Sequence, residues 1–92
     1  MTIRVALVDD HRVVTRCLEA YLVSFPDMQV VGTAATGEEL LEHLEQWNPQ
    51  VILQDLLMPG GMDGVETTRR ILERAPSVKV IALTASMHAT GG

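Results

Sequence analysis

Short apolar runs alternate along the chain with longer segments in which apolar residues recur every three or four positions. The short runs are typical of strands that are buried on both faces of a parallel sheet, and the longer spacing is typical of helices. We place strands at residues 5–8, 28–32, 51–53 and 78–83. A helical segment follows each of the first three strands, so the predicted order of elements is βαβαβαβ.

Each predicted helix carries one apolar face, which we expect to pack on the sheet. Thr36 and Glu39 have the spacing of a capping box at the start of the second helix, and Asp63 can cap the third. The three faces consist of Val13, Val14, Cys17, Leu18, Tyr21, Leu22 and Phe25; of Leu40, Leu41, Leu44 and Trp47; and of Val65, Thr68, Ile71 and Leu72.

The alternation of strands and helices predicts an α/β fold with a doubly wound parallel sheet. Parallel pairing requires right-handed crossovers, which bring the carboxyl ends of all four strands to one edge of the sheet. Open sheets of this kind bind ligands at that edge, near the point where the strand order reverses. With 92 residues and no linker or repeat, we expect a single domain over residues 1–92.

Composition narrows the classes of function. The formal net charge of -5 argues against direct nucleic-acid binding. Cys17 is the only cysteine, so a disulfide or a cysteine zinc site cannot form within the chain, and we expect Cys17 to lie in the core. The apolar run near the N-terminus is too short for a signal peptide or a membrane span. These features predict a cytoplasmic protein without a membrane partner.

Three aspartates and one threonine follow predicted strands at the same edge of the sheet. They are Asp9 and Asp10 after the first strand, Asp55 after the third and Thr84 after the fourth. Carboxylates held close together repel one another, and a hard divalent ion relieves that repulsion. The sequence therefore predicts a Mg²⁺ site, in which Mn²⁺ can substitute. Asp55 is the candidate nucleophile for a phosphoryl group, and the Thr84 hydroxyl can donate a hydrogen bond to a phosphoryl oxygen.

Other interpretations of the same residues stay open. Asp9 and Asp10 could simply cap the helix that follows them. We expect His11 to be an exposed residue of the first helical turn, with metal ligation as the less favoured alternative. Asp55 could also serve a small Mg²⁺-dependent phosphohydrolase. That reading is less favoured because no carboxylate stands two residues after Asp55 to act as acid or base.

Four segments together form a specific set of motifs: Val8-Asp9-Asp10-His11, Asp55-Leu56-Leu57-Met58-Pro59, Met62-Asp63-Gly64 and Ala82-Leu83-Thr84-Ala85. In these segments the chain closely resembles bacterial response-regulator receiver domains, and more specifically the subgroup with a LuxR/NarL-type output domain. The resemblance implies a flavodoxin-like fold with strand order 2-1-3-4.

The resemblance also implies roles for individual residues. Asp55 would be phosphorylated by the phosphohistidine of a sensor histidine kinase. The Mg²⁺ ligands would be Asp10, Asp55 and the main-chain carbonyl of Leu57, with Asp9 assisting through water, and Thr84 would be the switch hydroxyl. The chain would then be a phosphoacceptor with at most slow self-phosphorylation and dephosphorylation, and not an enzyme. DNA would be contacted only through an output domain.

The chain departs from the family pattern at two places. The loop after Asp55 contains one additional glycine, and the sequence ends at Gly92, before the family's fifth strand, its last helix and its lysine. We therefore expect a C-terminally incomplete receiver domain with inefficient phosphorylation. The alternative is a switch-defective fragment that acts only as an interaction or dimerisation module. An exposed edge on the fourth strand predicts a homodimer or a higher association.

Overall fold

The predicted order of elements is confirmed by a computed structural model that describes residues 2–55 and 64–83. The predicted site residues Leu57 and Thr84, and the predicted cap Asp63, lie outside the described residues. The elements are β1 (Ile3–Val8), α1 (Arg12–Val23), β2 (Met28–Ala34), α2 (Gly37–Trp47), β3 (Val51–Asp55), α3 (Gly64–Arg74) and β4 (Lys79–Leu83).

The four strands form one parallel sheet with the order β2-β1-β3-β4. This is the predicted order 2-1-3-4 of a flavodoxin-like receiver fold. The central strands β1 and β3 pair from Val5 with Val51 to Val8 with Gln54. Strands β2 and β4 lie at the two ends of the described sheet. The doubly wound parallel architecture is therefore confirmed.

Helices cover both faces of the sheet. On one face, α2 and α3 pack on alternate residues of β1 and β3 around the fully buried Leu40, Ile52 and Ile71. On the other face, α1 packs on the intervening strand residues, with Val5, Leu7 and Leu22 at the centre. Because the chain leaves β1 toward one face and β3 toward the other, the strand order reverses between these two strands. None of the described helices is long and apolar enough to cross a membrane.

Helix α2 begins as its sequence predicts. Thr36 is the N-cap residue, and its hydroxyl accepts a hydrogen bond of 3.1 Å from the backbone N–H of Glu39. The Glu39 carboxylate in turn accepts a hydrogen bond from the backbone N–H of Ala35. Gly37 then meets Thr67 of α3 so closely that a Cβ atom would overlap its side chain. The two helices can therefore approach each other only with glycine at this position.

The predicted inner face of α1 is wrong in part. Leu22 is buried and Leu18 half-buried as expected, but Thr15 replaces the predicted valines at the sheet. Helix α1 contacts mainly β2, so its buried stripe runs through positions 15, 18 and 22. The flank that was predicted to be buried is exposed: Val13, Val14, Cys17, Tyr21 and Phe25. Cys17 is thus a surface residue, contrary to the prediction that it lies in the core.

Helix α3 is also rotated about its axis relative to the prediction, so that a different face turns toward the sheet. Ile71 is buried and Thr68 half-buried, but Val65 and Leu72 are exposed, and Thr67 takes their place in the core. The close approach of Thr67 to Gly37 explains this rotation, because the small residues at the α2–α3 contact set the face that turns inward.

The outer face of α3 carries ion pairs between residues three and four positions apart. Glu66 accepts hydrogen bonds from both Arg69 and Arg70, and these bonds lower the pKa of its carboxyl from its ordinary range to about 2. Arg69 also donates to Glu73 at 2.7 Å. The prediction that Arg69 and Arg70 form a solvated helix face is confirmed. Exposed pairs of this kind contribute little to folding stability.

Candidate functional site

The aspartates of the candidate site follow the two central strands. Val8, the last residue of β1, pairs with Gln54, so Asp9 and Asp55 are the next residues along two neighbouring strands. Neighbouring strands lie about 4.8 Å apart. Asp55 in turn pairs with Leu83, the last residue of β4. The backbone thus brings Asp9, Asp10 and Asp55 to one edge of the sheet, at the point where the strand order reverses.

Asp9 is held rigidly at the entrance to α1. Its backbone N–H donates to the Ala34 carbonyl at 3.0 Å, which ties the end of β1 to the end of β2. Its side chain is only 7% exposed. One carboxylate oxygen, Oδ1, accepts hydrogen bonds from the backbone N–H of His11 at 2.8 Å and from the imidazole Nδ1 at 3.0 Å. This carboxylate is therefore fixed in place before any ligand arrives.

Asp10 follows Asp9 and has one carboxylate oxygen without a hydrogen-bond donor. Its Oδ1 is buried from solvent and accepts no hydrogen bond, although the Nδ1 atom of His11 is 3.0 Å away. A buried carboxylate oxygen without a donor costs free energy. It is also an atom that a cation would satisfy.

The interpretation of Asp9 and Asp10 as capping residues does not fit this arrangement. The N-cap residue of α1 is His11, which makes no side-chain cap hydrogen bond, and the first turn of α1 contains no acidic residue. His11 is exposed, as predicted, with 63% of its side chain accessible.

The residues present fit a hard divalent cation. Asp9, Asp10 and His11 each offer one ligand atom, and these atoms lie within 4.8 Å of one another. Mg²⁺ takes oxygen ligands and is commonly held by one or two protein carboxylates. The orphaned Oδ1 of Asp10 supplies such an oxygen, and Asp55 ends the neighbouring strand.

A groove of about 680 Å³ opens beside Asp9, between α1 and the end of β2. Arg12 and Arg16 line it, one helical turn apart. Within the described part of the chain neither arginine forms an ion pair, whereas Arg69, Arg70 and Arg74 all do. Sequence reasoning did not single out Arg12 and Arg16. Their spacing of four residues just after the two aspartates was the available signal.

The fold and the acidic edge define a receiver-like α/β domain. The family model for the response regulator receiver domain matches residues 5–90. The chain belongs to this family, which confirms the resemblance drawn from its motifs.

Two kinds of known protein illustrate the match. The response regulator protein VraR of Staphylococcus aureus strain NCTC 8325 is 44% identical over 84 residues, which are 91% of this chain and 40% of VraR. The chain thus spans less than half the length of this curated relative. The response regulator domain of Thermotoga maritima CheB superposes with a TM-score of 0.86 at 34% identity, covering 98% of this chain and 66% of that one.

A third similar protein is the isolated receiver domain of RcsB from Salmonella enterica serovar Typhimurium, solved with the phosphomimetic BeF3-. It has a TM-score of 0.84 and 29% identity, over 91% of this chain and 62% of that one. A two-component response regulator of the LuxR family from Aurantimonas sp. SI85-9A1 superposes with a TM-score of 0.83 at 30% identity, over 91% of this chain and 59% of that one.

Proposed function

We propose that this domain accepts a phosphoryl group on Asp55 in a Mg²⁺-dependent reaction of a two-component phosphorelay. The observation that carries the proposal is the convergence of Asp9, Asp10 and the end of β3 on one edge of the sheet, with a buried Asp10 oxygen that lacks a donor. The membership of the receiver family supports it.

In the proposed reaction a carboxylate oxygen of Asp55 forms a bond to phosphorus as the phosphorus–nitrogen bond of a kinase phosphohistidine breaks. The electron pair of that bond stays on the donor's imidazole. Asp10, Asp55 and the carbonyl of Leu57 are the proposed Mg²⁺ ligands, with Asp9 assisting through water and Mn²⁺ able to substitute. A bound ion neutralises charge on the nucleophile and the phosphoryl oxygens.

Other residues would also assist the proposed phosphoryl transfer. The hydrogen bonds from His11 hold Asp9 in one orientation, so little ordering is left for the moment of binding. Arg12 and Arg16 place positive charge beside the acidic edge, which favours the approach of an anionic donor to a chain of net charge -5. Thr84 is the proposed hydroxyl donor to the attached phosphoryl group.

The wider setting is proposed from the relatives. A sensor histidine kinase in the cytoplasm would be the donor, and control of transcription would pass through a DNA-binding output domain. RcsB, which has a TM-score of 0.84 to this chain, has been solved bound to the promoter rprA. The domain itself would be a phosphoacceptor with at most slow self-phosphorylation and dephosphorylation.

Association of two copies is also proposed. Strand β4 lies at one end of the described sheet, and Ile81 is 50% exposed. An unpaired strand edge favours pairing with a second chain. Sedimentation equilibrium at micromolar concentration is expected to show dimers or larger species, whereas a strictly monomeric and cooperatively folded chain would contradict this part of the proposal.

Phosphoryl labelling tests the central proposal. The chain is incubated with a small acyl phosphate, with and without Mg²⁺, and its intact mass is recorded. We expect one acid-labile phosphoryl group, present only with the metal, and peptide mapping should locate it at Asp55. A label at another residue would refute the assignment. A chain that binds Mg²⁺ but gains no label would support the alternative of an interaction module.

A further inference from the structure

Two arginines of α1, Arg12 and Arg16, line the groove of about 680 Å³ beside Asp9. Within residues 2–55 and 64–83, neither guanidinium group has an acceptor for its N–H groups. By contrast, the guanidinium of Arg4 donates to the Asn48 carbonyl, and the arginines of α3 all donate to glutamates. The groove is therefore lined by two cations whose N–H donors are available to a ligand.

The groove also contains acidic side chains, and two of these are engaged in hydrogen bonds. Asp9 accepts two hydrogen bonds from His11, and Glu39 accepts one from a backbone N–H group. Glu19 is exposed and forms no ion pair with either arginine. In this part of the structure an entering anion would thus meet two unpaired cations and one unpaired carboxylate.

We propose that Arg12 and Arg16 bind the leaving group of a small acyl phosphate, so that among small phosphoryl donors the domain selects acyl phosphates over phosphoramidates. The inference rests on the proposed phosphorylation of Asp55 and adds a donor class to it. In this transfer an Asp55 oxygen bonds to phosphorus while the bond between phosphorus and the acyl oxygen breaks. The electron pair of the broken bond leaves on that oxygen, and a carboxylate is released.

The strand order gives the groove a suitable position for a leaving group. The groove is lined by Thr33 and Ala34 at the end of β2, whereas Asp55 ends β3, and β1 lies between these two strands. In phosphoryl transfer the attacking and leaving oxygens are roughly in line with phosphorus. When phosphorus lies over the end of β1, the leaving oxygen is on the side of the groove.

The charge of the leaving group sets the expected selectivity. Arginine binds carboxylates through paired N–H donors. Because negative charge grows on the acyl oxygen as its bond to phosphorus breaks, the arginines would stabilise the transition state more than the bound donor. A phosphoramidate protonated on nitrogen releases neutral ammonia, on which no negative charge accumulates. The arginines should therefore accelerate transfer from the acyl phosphate much more than transfer from the phosphoramidate.

The test compares labelling rates of the whole chain with acetyl phosphate and with phosphoramidate in the presence of Mg²⁺. The variants are Arg12→Gln with Arg16→Gln, and the control Arg69→Gln with Arg70→Gln, which removes the same charge from the outer face of α3. The α1 variant should lower the rate with acetyl phosphate at least about tenfold, as expected for lost hydrogen bonds to a charged group. At an ionic strength of about 0.15 M its rate with phosphoramidate should fall about threefold or less, and the control should match the wild type.

An equal loss with both donors would mean that the arginines merely attract anions, and it would overturn the proposal, as would an unchanged rate with acetyl phosphate. A direct measurement titrates the metal-free chain with acetate, the released carboxylate, and follows the arginine Nε–H signals by NMR. The signals of Arg12 and Arg16 should shift while that of Arg69 does not, and unshifted signals would also refute the proposal. If neither donor labels the wild type, the proposed phosphorylation of Asp55 fails, and the acetate titration still decides whether the groove binds a carboxylate.

Discussion

Asp10→Asn is expected to weaken Mg²⁺ binding by at least about 100-fold under the proposed assignment of Asp10 as a direct ligand. A direct ligand should matter no less than the indirect partners of a metal site, whose loss has effects of about 10–100-fold. The substitution keeps the shape of the side chain but removes its charge. Labelling of Asp55 by an acyl phosphate should fall with the bound metal, and Asp55→Asn should abolish labelling altogether. Metal titration and intact mass measure the two effects.

A loss of folding could imitate this result, so stability must be measured as well. The carboxylates of Asp9 and Asp10 belong to adjacent residues and repel each other when no cation is present. Without Mg²⁺, Asp10→Asn should therefore unfold at the same urea concentration as the wild type or a higher one. Asp27→Asn is the matched control, since Asp27 is exposed and comes just before β2, far along the chain from the acidic edge. Equal Mg²⁺ affinity in both variants and the wild type would refute the metal assignment.

The fold follows closely from the pattern of the sequence. Apolar runs bounded by Pro26, Pro49 and Pro76 mark the strands and the helix ends, and parallel pairing with right-handed crossovers leaves few possible topologies. The capping box at Thr36 predicts the start of α2 because both partners lie within four residues. Local chemistry determines these features, so a single sequence reveals them.

The inward faces of α1 and α3 could not be predicted in the same way. Periodicity identifies an apolar stripe, but the contacts with the other elements decide which part of it is buried. Thr15 and Thr67 are buried although they are polar, whereas Val13 and Val65 are exposed although they are apolar. In α3 the deciding contact is between Thr67 and Gly37, which are 30 positions apart in sequence. No local pattern encodes such a contact.

The sequence predicts the carboxylates of the candidate site, but it does not predict how the residues around them are oriented. Asp9 and Asp10 follow a strand, and topology alone brings them to the edge where β3 ends. The orientation of His11 depends on the turn between β1 and α1, in which its backbone N–H binds Asp9. The sequence does not predict that geometry, because a histidine after two aspartates is typical of a surface residue.

The truncation Leu40→Ala is expected to lower the free energy of unfolding by about 2–5 kcal/mol. Leu40 is fully buried at the centre of the cluster between α2, α3 and the sheet, and its removal leaves a cavity that the neighbouring strands cannot fill. A domain of this length has a total stability of about 5–14 kcal/mol, so a large fraction would be lost. Urea unfolding followed by circular dichroism measures the change.

Leu72→Ala is the matched control, because it makes the same substitution in a helix at a side chain that is 40% exposed. We expect a loss of about 1 kcal/mol or less. The periodicity of the sequence placed both leucines on inner faces, so the comparison also tests the rotation of α3. Should Leu40→Ala fail to fold, Ile71→Val removes one methyl group from the same cluster and should lower stability by about 0.5–1.5 kcal/mol. Equal losses for Leu40→Ala and Leu72→Ala would mean that Leu72 faces the core, and the contact between Thr67 and Gly37 would then not determine how α3 packs.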